Sequence, residues 1–217
     1  MQIAVLSDLH GNFPKLKSLK EDPIDLLLVA GDIAAGLPDA QYGSMKRFFD
    51  WVNWINPKHM AFTPGNHDYW LLADIFKLMK PNHYLLIDDW VTIEGVKIYG
   101  TPWTLPFFDW NWMKPEDRLA LLWENIPEDL DILISHGPAY KVCDLVPSIQ
   151  EHTGSKTLRE AVLAKNIKYF FSGHIHEGSH SQEMLGNTKC RCVSLMSDPP
   201  SKIKFEPYYF ELDRGDR

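Results

Sequence analysis

The run at residues 24–32, "IDLLLVAGD", constrains this chain more than any other stretch. A strand with one wet face alternates apolar and polar residues, because successive side chains point to opposite sides. Leu26, Leu27, Leu28, Val29 and Ala30 contain no polar interruption. Such a strand is buried on both faces, as happens in parallel sheets covered by helices. An α/β fold is therefore expected, with this strand near its centre.

The neighbouring segments agree. "QIAVL" reads as a short strand ending at Ser7-Asp8, and residues 15–20 carry Leu16 and Leu19 at the spacing of a short crossover helix. Met45, Phe48, Phe49, Val52 and Ile55 recur at three and four, which predicts an amphipathic helix over 42–55. "HMAFT" is a third strand, followed by a helix over "YWLLADIFKLM". "WVTIEGVKIYG" reads as a hairpin turning at Glu94-Gly95, and Pro115 opens a helix over "EDRLALLWENI". "DILIS" and "IKYFFS" are further strands, and Ser155 is placed to cap a helix over "KTLREAVLAKN". After Gly178 the segments "SQEML", "KCRCVSL" and "PYYFEL" read as closing strands. With 217 residues and no repeat or Gly/Ser linker, a single domain spanning 1–217 is expected.

Five of these strands end alike: Asp8-Leu9-His10, Gly31-Asp32, Gly65-Asn66-His67-Asp68, His136-Gly137 and Gly173-His174-Ile175-His176. Open α/β sheets bind ligands beyond the carboxyl ends of their strands, so the five loops can converge on one cleft. Five of the nine histidines fall in these short segments. Oxygen and nitrogen donors without thiolate suit Mn²⁺, Fe, Zn²⁺ or Mg²⁺ better than copper(I). They exceed what one tetrahedral ion needs. Taken singly, each has an ordinary explanation: Asp8 as a helix cap, Gly31-Asp32 as a turn, His136 as a loop histidine, His174 or His176 as a core group. Five coincidences in order are far less ordinary.

The motifs Asp8-x-His10, Gly31-Asp32, Gly65-Asn66-His67-Asp68, His136 and Gly173-His174-x-His176, in this order, resemble the calcineurin-like metallophosphoesterases. The likeness runs from the first strand to about Gly178. "GTPWTLPFFDWNWM", "IPEDLDILISHGPAY" and "SGHIHEG" look like the metallophosphoesterase-domain (MPPED) branch. The resemblance implies two packed mixed β-sheets flanked by helices, an α-β-β-α sandwich. It implies two divalent ions, Mn²⁺ foremost: Asp8, His10 and His176 on one, Asn66, His136 and His174 on the other, Asp32 bridging. His67 matches the family's catalytic imidazole, a general acid opposite attack by a metal-bridging hydroxide. Asp68 is expected to orient His67 or hold its charge. The implied substrates are small phosphodiesters, cyclic nucleotides among them.

Two alternatives belong beside that reading. One is a phosphomonoesterase or protein phosphatase, although "IAAGLPDAQYG" after Gly31-Asp32 lacks the Asp-Arg-Gly arginine of the protein phosphatases. The other is a non-catalytic scaffold of the same fold. A net charge of −7 leaves no basic surplus for a nucleic-acid backbone, so no stable nucleic-acid partner is expected. No apolar run approaches membrane-spanning length. Met1 leads directly into "QIAVLSD" without a signal-peptide pattern, and Cys143, Cys190 and Cys192 read as reduced thiols, so a cytoplasmic location is expected. Trp103, Phe107, Phe108, Trp110 and Trp112 are open to three readings: contact with an aromatic substrate group, core packing, or a subunit interface such as a homodimer's. His59, His83, His152 and His180 receive no role, His180 being expected at the surface. "PEDRLALLWE" reads as the wet face of its helix.

Overall fold

A computed structural model describes residues 1–35, 38–70, 72–197 and 202–212. In chain order its strands are β1 (Gln2–Leu6), β2 (Leu26–Ala30), β3 (His59–Thr63), β4 (His83–Leu85), β5 (Asp89–Ile93), β6 (Val96–Thr101), β7 (Ile132–Ser135), β8 (Leu145–Val146), β9 (Glu151–His152), β10 (Tyr169–Ser172), β11 (Gln182–Leu185), β12 (Thr188–Cys192), β13 (Met196–Ser197), β14 (Lys202–Ile203) and β15 (Tyr208–Glu211). The α-helices are α1 (Ser18–Glu21), α2 (Gln41–Ile55), α3 (Leu72–Leu78), α4 (Glu116–Trp123) and α5 (Lys156–Ala164).

Two mixed sheets carry the fold. One has the order β15-β1-β2-β3-β4, parallel except for β15, and the other β11-β12-β10-β7-β6-β5, parallel except at its two edges. The uninterrupted run of β2 is explained by its position. Leu26, Leu28 and Ala30 face the second sheet beside Ile98, Ile132, Ile134 and Phe171. Leu27 and Val29 face outward onto Phe48, Phe49 and Val52 of α2. A third apolar layer joins Leu133 and Phe170 to Trp123 of α4 and Leu158 and Val162 of α5. The order is therefore helices, sheet, sheet, helices, as expected. Fully burying each large aliphatic or aromatic side chain contributes about 1.5–3 kcal/mol, so α2, short of ideal helix formers, is held mainly by its apolar face.

Local chemistry sets the element ends. Asn56 closes α2 in left-handed backbone (φ 59°), its N–H donating to the Val52 carbonyl. Ser155 accepts from Leu158 N–H and so caps α5. Glu94 and Gly95, both at positive φ, turn the β5–β6 hairpin between paired Ile93 and Val96. Pro115 precedes α4 in extended backbone rather than opening it as its first residue. The helix expected at 15–20 shrinks to the single turn of α1, since four residues gain stability only from Leu19 packing on the core. Tyr69 stays outside α3, because its N–H donates to the Gln41 side chain at the start of α2. Leu71 lies outside the described residues.

Two further expectations need correction, and that of unpaired cysteines holds. His180 is half-buried, stacked on Phe205 with centroids 4.7 Å apart, and burial lowers its pKa. Glu116 is not simply wet: its carboxylate accepts from the Ser155 and Thr157 hydroxyls and from Thr157 N–H, tying α4 to the start of α5. Cys143, Cys190 and Cys192 are free and buried, with Cys190 and Cys192 on the same face of β12. Among the described residues no helix is long and apolar enough to cross a membrane.

Candidate metal centre

The parallel strands β1, β2 and β3 of one sheet and β7 and β10 of the other end on the same side, and backbone hydrogen bonds carry the pairing on into the loops. Asp8 N–H donates to Gly31 O and His10 N–H to Asp32 O, at 3.0 and 2.9 Å. His136 N–H donates to Thr101 O, and Gly173 N–H to His136 O. Asp8, His10, Asp32 and His174 all have positive φ, between 43° and 70°. Left-handed backbone is costly for residues with a Cβ, and it clusters where the surrounding structure enforces it. The loops after β1, β2 and β10 thus turn sharply at their strand ends.

The turned side chains meet. Asp8 Oδ1 lies 3.2 Å from His176 Nε2, which is 3.3 Å from His10 Nε2. His10 Nε2 is 3.5 Å from Asp32 Oδ2, while Asp32 Oδ1 is 3.3 Å from His136 Nε2. His136 Nε2 is 2.9 Å from Asn66 Oδ1, and the His136 and His174 rings stand edge to face at 5.2 Å. Three overlapping triads result, each with ligand atoms within 4.8 Å of one another: Asp8, His10, His176; His10, Asp32, His67; and Asp8, Asp32, His136. Asp32 belongs to two of them and turns one oxygen to each side.

The electrostatics of this cluster are unusual for a buried site. Burial pushes the Asp8 pKa up, yet the hydrogen bond and charge of His176 outweigh it and hold the carboxyl well below its usual range. Asp32 behaves alike: burial is overcome by the charge and hydrogen bond of His136 and the charge of His10. For His136, burial opposes protonation, but Asp32 and Asp8 raise it to about 9. Burial and the His136 charge lower His174 to about 3. The His136 Nδ1 lies 2.9 Å from the Ala30 carbonyl, so that nitrogen carries the proton and Nε2 turns toward Asn66 and Asp32. Nε2 facing the Asn66 and Asp32 oxygens is satisfied either by a proton on that nitrogen or by a bound cation. The oxygen and imidazole donors fit hard or borderline divalent cations, and no thiolate competes.

Close approach also requires the glycines. A Cβ on Gly31, already at φ 90°, would stand 2.5 Å from His136 Nδ1, and one on Gly173 would stand 2.5 Å from both Asp8 Oδ2 and Ser7 Oγ.

His67 and Asp68 part company. The half-buried His67 ring lies 4.9 Å from that of His10 and 4.1 Å from that of Trp110. Its backbone N–H donates to Asp32 Oδ1 at 2.8 Å, and its carbonyl accepts from Gln41 Nε2. Burial lowers its pKa against the opposing pull of Asp32. Asp68, expected to orient His67, instead turns to the backbone. Its carboxylate accepts from Ile33, Ala34 and Gly65 N–H, with Ala34 at 2.8 Å and Gly65 at 2.9 Å. It clamps the Asp32 loop to the Asn66 turn, and burial and Asp32 raise its pKa to about 7 against those hydrogen bonds. Two supporting residues escaped the sequence reading. Ser7 donates to Asp8 Oδ2 at 2.5 Å, and Gln41 holds both His67 O and Tyr69 N–H. A serine and a helix-start glutamine carry no pattern that marks them.

The model of the family described as calcineurin-like phosphoesterase matches residues 1–178. The human metallophosphoesterase domain-containing protein 1 is 32% identical over 192 residues, covering 73% of this chain and 58% of the relative. The chain thus spans little more than half the length of that relative. An uncharacterized protein of Methanocaldococcus jannaschii is 30% identical over 195 residues, covering 87% of this chain and 85% of its own. Among solved structures, TT1561 of Thermus thermophilus superposes with a TM-score of 0.65 at 17% identity, covering 88% of each chain. The phosphopantetheinyl hydrolase of Mycobacterium tuberculosis superposes with a TM-score of 0.56 at 17% identity, covering 89% of this chain and 88% of its own. These two structures share the fold. With the family model spanning the strands that bear the cluster, the chain belongs to the calcineurin-like phosphoesterases.

Proposed function

We propose that the protein hydrolyses small phosphodiesters at a centre of two divalent metal ions. One observation carries the reading: Asp32, buried between the two halves of the cluster, presents Oδ2 to His10 and Oδ1 to His136. A carboxylate shared in this way suits a bridge between cations. Asp8, His10 and His176 would hold one ion, and Asn66, His136 and His174 the other. Mn²⁺ is the proposed metal; the donors also accept Fe, Zn²⁺ or Mg²⁺, and availability decides among them.

Two ions bound there supply Lewis acidity toward phosphoryl oxygens and acidify a coordinated water. The chain's own groups do the rest. Asp68 keeps the Asp32 and Asn66 loops in register through Ile33, Ala34 and Gly65. Gln41 and Asp32 fix the His67 backbone from two sides, so its ring stands beside His10 at the rim. From there His67 donates a proton to the departing oxygen, a role contributing about 10²–10⁴-fold.

The choice of diester over monoester rests on charge. A monoester dianion favours an arginine fork in addition to the ions. Among the described residues, arginine contacts go elsewhere: Arg47 to Gly43 O, Arg118 to Asp117, Arg159 to Tyr140 O and Arg191 to Gln182. The test supplies Mn²⁺ and compares bis-aryl with mono-aryl phosphate hydrolysis, followed by a cyclic-nucleotide panel. Faster turnover of the bis-aryl ester is expected; preference for the monoester would overturn the diester assignment.

A further inference from the structure

The two main sheets differ by one strand, five against six. Where they face each other, β3 lies over β6 and β7, and β2 over β7. On the far flank β15 covers β10: the Phe210 ring lies 4.9 Å from that of Tyr169 and 5.5 Å from that of Phe171. It reaches β12 through Tyr208, whose ring is 4.1 Å from the Arg191 guanidinium. Opposite β11 the first sheet has no strand among the described residues. A cavity of about 360 Å³ opens there, lined by Tyr169, Phe171, Tyr208, Lys189, Arg191 and Met184, the last 61% exposed.

This slot has an open strand edge beside it. Met1 and Leu212 exchange both backbone hydrogen bonds, at 3.0 and 2.9 Å. Bonded and non-bonded pairs alternate along an antiparallel ladder, so Phe210 and Tyr208 are the next residues bonded to β1. The N–H and C=O groups of Tyr209 and Glu211 therefore point away from it. Among the described residues no backbone group pairs with that edge. A strand added there would complete the shorter sheet and lie over β11 and β12.

Charge sets what such a strand carries. Lys189 and Arg191 stand two apart on β12, so both face the slot. Lys189 lies over the Tyr169 ring at 5.3 Å, and Arg191 donates to Gln182 Oε1 at 2.8 Å while its buried Nε has no partner. Among the described residues no carboxylate pairs with either cation. Glu183, the acid nearest in sequence on β11, turns its carboxylate to Cys143 N–H instead. Two unpaired cations facing one groove are notable in a chain of net charge −7.

We infer that the slot receives an extended acidic segment of a partner protein, added to the edge of β15. Its backbone bonds to Tyr209 and Glu211, and carboxylates at alternate positions meet Lys189 and Arg191, which share that two-residue period.

The test titrates full chain into fluorescently labelled Thr-Glu-Val-Glu-Val-Thr and reads anisotropy, with Thr-Lys-Val-Lys-Val-Thr as the control. The acidic peptide is expected to bind about tenfold more tightly or better. Lys189→Glu, at an exposed position, should reverse that order, and Arg191→Gln should weaken the acidic peptide about tenfold. Backbone N-methylation of the odd or of the even residues blocks opposite edges of the peptide. One set should abolish binding and the other leave it within about threefold. No saturable binding, equal binding of both peptides, or indifference to Lys189→Glu overturns the site; equal loss from both methylated sets overturns strand addition. A chain that sediments as a dimer, binds neither peptide and turns monomeric in Lys189→Glu makes a second copy the occupant and overturns the assignment.

Discussion

The Nε2 of His136 faces the Oδ1 of Asn66 at 2.9 Å, with both residues buried and the opposite ring nitrogen committed to the Ala30 carbonyl. A ring nitrogen and an amide oxygen held this way need positive charge between or upon them. Asp32 Oδ1 at 3.3 Å from the same nitrogen sharpens the requirement. This contact links the ends of β3 and β7, strands of different sheets, so a cation bound there would hold the two sheets together as well as serve the proposed chemistry.

Metal should therefore stabilise the fold. A ligand that binds only the native state at a hundred times its dissociation constant adds about 2.7 kcal/mol. Chelation is expected to lower the Tm, and Mn²⁺ to restore it. Asp32→Asn should bind less metal by elemental analysis and respond more weakly to Mn²⁺. A Tm indifferent to metal in the wild type would contradict the site.

His67 belongs to one geometric triad but is assigned the proton. The variant His67→Gln separates the two roles. Its metal content should match wild type while kcat falls by about 10²–10⁴-fold. Loss of one ion per chain would make His67 a ligand instead.

Asp68→Ala removes the acceptor for the Ile33, Ala34 and Gly65 N–H groups. A buried donor left unpaired costs about 1–3 kcal/mol, so denaturant unfolding should report a loss of at least about 3 kcal/mol. If unfolding is unchanged while kcat alone drops, Asp68 acts on the chemistry rather than on the loops.

Gly173→Ala brings a Cβ to 2.5 Å from Asp8 Oδ2 and Ser7 Oγ. Both belong to rigid, buried groups, so the carboxylate must move. Weaker metal binding by titration is expected, with far-UV circular dichroism unchanged. Wild-type metal affinity would show that the Asp8 loop yields freely.

His83 lies outside the cluster, buried and stacked on Phe49 at 5.6 Å. Burial and the Lys80 charge lower its pKa from 6.5 to about 4. The unfolded chain then binds more protons than the native one between those values, so stability falls as pH drops from about 6.5 toward 4. His83→Phe should make that decline shallower in urea midpoints measured across the range. Parallel declines in the two proteins would remove His83 as a cause.

The sequence by itself determined which residues stand at the strand ends. An unbroken apolar run must be buried on both faces, and the polar residue that ends it marks the edge of the sheet. Asp8, Asp32, Asn66, His136 and His174 were legible for that reason, as were α2 from its apolar spacing and the cap at Ser155. Tertiary structure alone decided that β15 returns to pair with β1, that Asp68 turns to three backbone N–H groups rather than to His67, and that Gln41 grips the His67 turn. It also separated the packed Trp103 from the exposed Phe108, two aromatics of one segment. Local pattern encodes burial along an element, whereas a loop side chain takes whichever partner the meeting of distant strands brings within hydrogen-bond reach.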